Sequence, residues 1–175
     1  MSKIISLSEA ASIGIHSMIL ITNSKENINV SHIAEITKSS RHHVAKVLQR
    51  LAKEGFVESN RGPNGGFQLK MEPENISLLN IFEAIEGKIQ ESGCLSDNPL
   101  CPFEKCLMGN IINRMTMEFR DYLDTQKLSD YVLRFDVNML IEAAESESLV
   151  AESKLHVKVQ SKVKSKVHAK INAKV

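Results

Sequence analysis

The stretch SRHHVAKVLQRLAKEGFVESNRGPNGGFQL, at positions 40–69, decides the fold. Ser40 belongs to the residue types that cap helix N-termini, and the apolar residues after it recur at helical spacing until a glycine ends the helix. Two short strands are predicted beyond it, near residues 56–59 and 67–70. The link between them, RGPNGG at 61–66, is rich in Gly, Pro and Asn, which is typical of a hairpin turn.

Two further helices are predicted upstream of this stretch. Residues 8–22 are apolar on almost every side, which is typical of a helix buried between other elements. Asn29 is a suitable N-cap for a short second helix, which breaks at Lys38 and Ser39. The order helix, helix, turn, helix and hairpin, with short connections, predicts a winged helix-turn-helix, a mainly α fold with a small β-hairpin wing.

Downstream, Ser77 is expected to cap a helix that ends at Gly87, and a cysteine-bearing loop follows. A long C-terminal helix is predicted from about Glu104 to Thr125. We interpret it as a dimerisation helix, because a dimeric helix-turn-helix protein can read two DNA half-sites together. Packing of the helix on its own domain is the alternative. The apolar side of this helix is predicted to carry Leu107, Ile111, Ile112, Met115, Phe119 and Tyr122. The predicted divisions are 1–87 for DNA binding, 88–103 for the loop, 104–145 for the dimerisation helix and C-terminal element, and 146–175 for a basic tail.

The net charge of +1 conceals an uneven distribution along the chain. Lys and Arg exceed Asp and Glu in residues 1–70 and again in residues 151–175, whereas acidic residues dominate between them. A polyanionic partner is therefore expected at the ends. The tail repeats a Lys followed by Val, Leu or Ile every four residues, with no evident core, and we expect a mobile extension that binds polyanions weakly or has no essential role.

The sequence also argues against membrane insertion and export. Its longest apolar run, residues 18–21, is far too short to span a bilayer, and the N-terminus lacks the pattern of a secretory signal. We therefore expect a cytoplasmic protein with no membrane partner.

The DNA-facing residues are predicted at the start of the third helix and in the wing. A recognition helix presents its N-terminal residues to base edges, and its dipole favours nearby phosphates. The wing's glycines let the backbone approach a surface, and an Arg on a narrow projection suits a minor groove. The alternatives to DNA contact are a helix face that is simply solvated and a turn that only joins two strands. The predicted DNA-binding residues are Ser40, Arg41, His42, His43, Lys46, Arg61 and Asn64.

Three cysteines, Cys94, Cys101 and Cys106, lie within 13 residues. An odd number so closely spaced is a poor disulfide framework, and thiolates are good ligands for iron–sulfur clusters, zinc or copper. The absence of a Cys-x2-Cys pair disfavours a zinc knuckle and a thiol oxidoreductase. Structural thiols and a thiol-based redox switch remain as alternatives to a cluster.

The chain resembles the Rrf-type transcriptional regulators, which include the IscR and NsrR types. The resemblance rests on IAEI at 33–36, LQRLAKEGFVES at 48–59, RGPNGGFQL at 61–69 and ISLLNIFEAIEG at 76–87, followed by the cysteines and LSDYV at 128–132. It covers roughly residues 4–135 and leaves out the tail. It implies a homodimeric regulator that binds double-stranded operator DNA.

The resemblance also implies an iron–sulfur cluster, 2Fe–2S or 4Fe–4S, with Cys94, Cys101 and Cys106 as ligands. The fourth ligand departs from the family patterns. The position where the IscR type has a His holds Gly109, and the position of the NsrR Asp corresponds to Ser12. His16, one turn later, is the possible fourth ligand, since imidazole ligates iron in mixed Cys/His clusters. Glu9, Ser12 and no protein ligand at all are the alternatives.

These observations together predict a regulator that senses redox state, nitric oxide or iron–sulfur status. The alternative is a cluster-free Rrf-type regulator with a thiol-based or small-molecule switch. An enzyme is disfavoured, and no small-molecule substrate is expected, because the sequence has no Walker-type loop, nucleophile elbow or carboxylate dyad. A winged module that has lost DNA binding is the third possibility.

Overall fold

A mainly helical fold with one β-hairpin forms the described part of the chain, which in this computed structural model comprises residues 7–62, 65–89, 108–132, 139–144 and 146. The elements are α1 (Glu9–Thr22), α2 (Val30–Ile36), α3 (Arg41–Lys53), β1 (Val57–Asn60), β2 (Gly66–Leu69), α4 (Leu78–Glu86) and α5 (Ile111–Thr125), with short 3₁₀ helices at Pro73–Asn75 and Leu128–Tyr131. Residues 1–136 form one compact unit. In the second, 137–175, residues 139–144 and 146 are helical. No helix within the described ranges is long and apolar enough to cross a membrane.

The predicted helix caps are all confirmed. Ser40 and Ser77 accept a hydrogen bond at Oγ, and Asn29 at its side-chain oxygen, from the backbone N–H three residues later. Each bond satisfies a donor that has no partner within its own helix. Between α2 and α3, Lys38 takes a left-handed φ of 53°, so the chain reverses within the short turn that a helix-turn-helix requires.

The wing is an antiparallel pair in which Val57 faces Leu69 and Asn60 faces Gly66, so both strands lie within one residue of their predicted positions. Ile28, just before α2, adds a bridge to Phe67, with N–H···O=C bonds in both directions. A methyl group on Gly66 would lie 2.6 Å from the Ile28 carbonyl oxygen. This position needs glycine because two backbones meet there.

Gly66→Ala is therefore expected to lower the free energy of unfolding by about 1–3 kcal/mol, the usual cost of overpacking where backbone must move. Thermal unfolding followed by circular dichroism measures the loss. Ser59→Ala, at an exposed position of the same hairpin, is the matched control. Equal unfolding temperatures for the two variants would contradict the tight contact between wing and helix-turn-helix.

Helix α1 lies at the centre of the fold, as its apolar composition predicts. It packs against α3, α4, β2 and the second 3₁₀ helix. Gly14 lets α1 approach α4 closely, since a methyl group there would lie 2.1 Å from Cδ1 of Ile85. The fully buried side chains of α1 and its neighbours include Ala11, Met18, Ile33, Val44, Leu48, Leu51 and Ile81.

Helix α5 is joined to α4 at both its side and its end. The rings of Phe82 and Phe119 meet edge to face with centroids 5.9 Å apart. The Leu78 N–H donates to the Gln126 carbonyl oxygen, and the Leu128 N–H donates to the Ile76 carbonyl oxygen, at 2.9 Å each. These bonds join the start of α4 to the end of α5.

The prediction for α5 needs one correction. The helix begins at Ile111 and not near Glu104, because Gly109 and Asn110 adopt left-handed φ angles of 57° and 59° in the turn before it. Residues 104–107, which include Leu107, lie outside the described residues. Ile111, Met115, Phe119 and Tyr122 lie on one side of α5 by helical spacing, but their surroundings differ: Phe119 packs on α4, whereas Ile111 and Tyr122 are exposed. One edge of this side therefore packs within its own domain, and the edge with Ile111 and Tyr122 forms an exposed apolar stripe.

Candidate nucleic-acid interface

The start of α3 presents most of the predicted DNA-facing side chains to solvent. Ser40 caps the helix: its Oγ accepts a hydrogen bond from the backbone N–H of His43 at 3.2 Å. Arg41, His42 and Lys46 are exposed in the first turn and a half. An N-terminal helix end with free cations beside it offers both a favourable dipole and side-chain donors to an anionic ligand.

His43 differs from its neighbour His42. Its side chain is half-buried, and its Nδ1 lies 3.6 Å from Oε1 of Glu9 on α1. Successive residues on a helix point about 100° apart, so adjacent histidines do not share a face. The two histidines therefore have different surroundings: His42 faces solvent, while His43 faces α1.

The solvent face of α3 extends further than the sequence prediction. Gln49, Arg50 and Lys53 are exposed, and together with His42 and Lys46 they line a shallow groove of about 610 Å³ beside α1. Sequence reasoning missed Gln49, Arg50 and Lys53, although Gln49 and Lys53 follow His42 and Lys46 at the helical spacing of seven. Lys46, Arg50 and Lys53 give this face a positive charge, and the described residues that line the groove include no Asp or Glu.

In the wing, Arg61 is exposed directly after β1. Gly62 takes a left-handed φ of 115°, and a methyl group on Gly65 would lie 2.6 Å from the Asn60 carbonyl oxygen. The turn is thus tightly folded around glycine, as the RGPNGG sequence predicts. Asn64 lies outside the described residues, so its role stays a prediction.

The candidate cluster ligands are divided between described and undescribed segments. Cys94, Cys101 and Cys106 lie outside the described residues. His16 is exposed on α1, and its Nδ1 lies 2.7 Å from the Ser12 carbonyl oxygen. If Nδ1 carries the proton, that bond leaves the Nε2 lone pair free for a metal. Within the described ranges, no three His, Cys, Asp or Glu side chains converge on a metal-sized site.

The three candidates for a fourth ligand share one surface. Glu9, Ser12 and His16 line an open groove of about 800 Å³ whose opposite wall is the turn between α2 and α3, at residues 36–39. Ser12 and His16 are one turn apart on the same side of α1. A group held at this wall of α1 lies beside the helix-turn-helix turn.

Comparisons with known proteins agree with this architecture. The profile of the Rrf2 family, described as an iron-dependent transcriptional regulator, matches residues 7–134. The HTH-type transcriptional regulator NsrR of Bacillus subtilis is 31% identical over 120 residues, which cover 67% of this chain and 82% of the relative.

Two solved structures share the fold. CymR (YrzC), the global cysteine regulator of B. subtilis, is similar with a TM-score of 0.62 at 24% identity, over 76% of this chain and 100% of that chain. IscR of T. potens gives 0.58 at 22% identity, over 81% of this chain and 90% of that chain. The resemblance seen in the sequence is thus confirmed, and the chain belongs to the Rrf2 family of transcriptional regulators.

Proposed function

We propose that this Rrf2-type regulator binds operator DNA as a homodimer in the cytoplasm and changes its affinity with the state of an iron–sulfur cluster. The observation that carries the proposal is the place of the three cysteines in the chain. All of them lie between residue 89, just after α4, and residue 108, just before α5. The proposed sensor segment thus connects the helix that packs on α1 and α3 to the proposed dimerisation helix.

The DNA-binding surface in this proposal consists of the α3 face and the wing. Arg41 and His42 at the helix start reach base edges in the major groove, where a guanidinium pairs with guanine acceptors. Lys46 contacts phosphates, which makes affinity depend on salt. Arg61 enters the neighbouring minor groove from the wing. Ser40 positions the start of the helix through its cap.

The exposed stripe of α5 supports the homodimer. Ile111, Met115 and Tyr122 follow one another at intervals of four and seven residues, the spacing of a helix–helix seam. Ile111 and Tyr122 are 37% and 56% exposed, and Met108, in the turn just before the helix, is 50% exposed. A twofold axis that brings two such stripes together removes all of them from water.

The donor set fits an iron–sulfur cluster. Cys94, Cys101 and Cys106 would supply three thiolates, and His16 would supply an imidazole through Nε2. When bound, the group would confer sensitivity to redox state, nitric oxide or iron supply. The chain itself fixes the start of the segment: Ile89 donates its N–H to Glu83 Oε1 at 3.2 Å, in the last turn of α4. We expect a change in how the thiolates are held to be passed to the end of α4.

The proposal is tested on protein purified without oxygen. We expect a coloured protein with iron and acid-labile sulfide, and a change in affinity for its DNA when the cluster is removed. Replacing Cys94, Cys101 and Cys106 together by alanine is expected to abolish the colour and to fix the affinity in one state. His16→Ala tests the fourth ligand through the shape of the absorption spectrum. Colourless protein whose triple variant binds DNA as the original does would refute the cluster sensor.

A cluster-free regulator is the second candidate, and the α1 groove is the observation that favours it. Its walls carry hydroxyls, a carboxylate and an imidazole in about 800 Å³ of open space, enough for a small polar effector. In this case the cysteines serve as redox-active thiols or as structural residues. Iron-free protein whose affinity responds to thiol oxidation would select this candidate.

A further inference from the structure

Arg50 connects the recognition helix to the end of α4. Its Nη1 donates a hydrogen bond to the Ile85 carbonyl oxygen at 2.9 Å, across 35 positions of sequence. That oxygen belongs to the last turn of α4, where carbonyls have no partner within their own helix. A guanidinium is well suited to this position because the C-terminal end of a helix carries partial negative charge.

The same turn of α4 is held by a second polar contact. Ser8, the cap of α1, donates its hydroxyl hydrogen to Glu86 Oε1 at 2.5 Å. Gly87 then redirects the chain with a φ of 91°. Cys94 follows Gly87 by seven residues. The end of α4 is therefore attached to both α1 and α3 immediately before the chain enters the cysteine segment.

We propose that Arg50 is a positioning residue that couples DNA occupancy of α3 to the end of α4. It lies one turn after Lys46 on the same helix. A helix moves as a rigid element, so a shift of α3 on DNA changes the Arg50–Ile85 contact, and a shift of α4 changes the position of α3. Coupling is reciprocal in free energy. This coupling rests on the part of the proposed function that places DNA on α3; it does not depend on the iron–sulfur cluster.

Two other roles for Arg50 give different results. A purely structural residue would stabilise the fold without joining DNA binding to α4. If Arg50 instead contacted a DNA phosphate, it would raise the affinity for DNA by the same factor whatever the state of α4. It would also make that affinity depend more steeply on salt. Both alternatives leave the response of α4 to DNA unchanged once the DNA site is saturated.

Amide hydrogen exchange on the full chain, with and without a saturating duplex selected from random sequence, tests the proposal. The amides of Gly87 and Ile89 are hydrogen-bonded to the backbone oxygen and Oε1 of Glu83, so their exchange reports opening of the α4 end. We expect DNA to slow exchange there by about fivefold or more in the original protein, the lower end of typical couplings. In Arg50→Met the slowing is expected to disappear although DNA is bound.

Lys53→Met is the matched control: it removes the same charge from the same exposed helix face, and among the described residues Lys53 makes no hydrogen bond or ion pair with α4. It is expected to keep the slowing. The proposal is overturned if DNA does not slow exchange in the original protein, or if Arg50→Met keeps the slowing at saturation. A protein without iron leaves this result intact, so failure of the cluster proposal and failure of the coupling are distinguished.

Discussion

Replacing Arg41 and Arg61 together by alanine is expected to lower affinity for operator DNA by about 30-fold or more. Both side chains are exposed, one at the start of α3 and one at the start of the wing turn. An Arg that pairs with a base edge contributes about 1–3 kcal/mol, and two at separate sites add to about 2–6 kcal/mol. Fluorescence anisotropy with a labelled duplex, at several salt concentrations, measures the loss.

A control variant separates the loss of base contacts from the loss of general electrostatic attraction to DNA. Arg120→Ala removes a positive charge from α5, where Arg120 pairs with the neighbouring Asp121, and it should change affinity little. The double variant should retain the unfolding temperature of the original because neither side chain is buried. If its affinity falls no further than that of the control, α3 and the wing are not the DNA-binding surface, and a winged module without DNA binding becomes the better account.

Local chemistry explains why much of the fold was predictable. Caps at Asn29, Ser40 and Ser77 depend on bonds to the third following residue, and the RGPNGG turn depends on glycines a few positions apart. Such interactions are readable in a short window of sequence. The exposure of Arg41 and Lys46 follows in the same way from the helical period and the buried positions between them.

Contacts distant in sequence were not predictable by the same means. The Ile28–Phe67 bridge and the Arg50–Ile85 bond join segments more than 30 residues apart, and neither leaves a local pattern. The start of α5 was misplaced because Asn110 takes a left-handed φ that non-glycine residues seldom adopt. The orientation of His43 toward Glu9 likewise depends on how α1 packs beside α3.

The second large effect is expected at the α5 stripe, where Ile111→Glu with Tyr122→Glu should convert a dimer into monomers. A twofold interface repeats each substitution, so four carboxylates would have to be buried together, and each uncompensated charge costs several kcal/mol. Losing the second half-site contact should then lower affinity for a two-site duplex by about 100-fold or more. Sedimentation velocity measures the assembly, and anisotropy measures the binding.

The control introduces the same carboxylate at a different position on α5. Met117 lies on α5 but off the stripe, about 140° round the helix from Tyr122, so Met117→Glu should leave both assembly and DNA affinity close to those of the original. Ile111 and Tyr122 are exposed, so the double variant should keep its helical circular dichroism spectrum. A double variant that remains dimeric would show that the stripe does not form the dimer interface. A folded monomer that binds a single half-site as well as the original does would confirm that α5 contributes by joining two DNA-binding units.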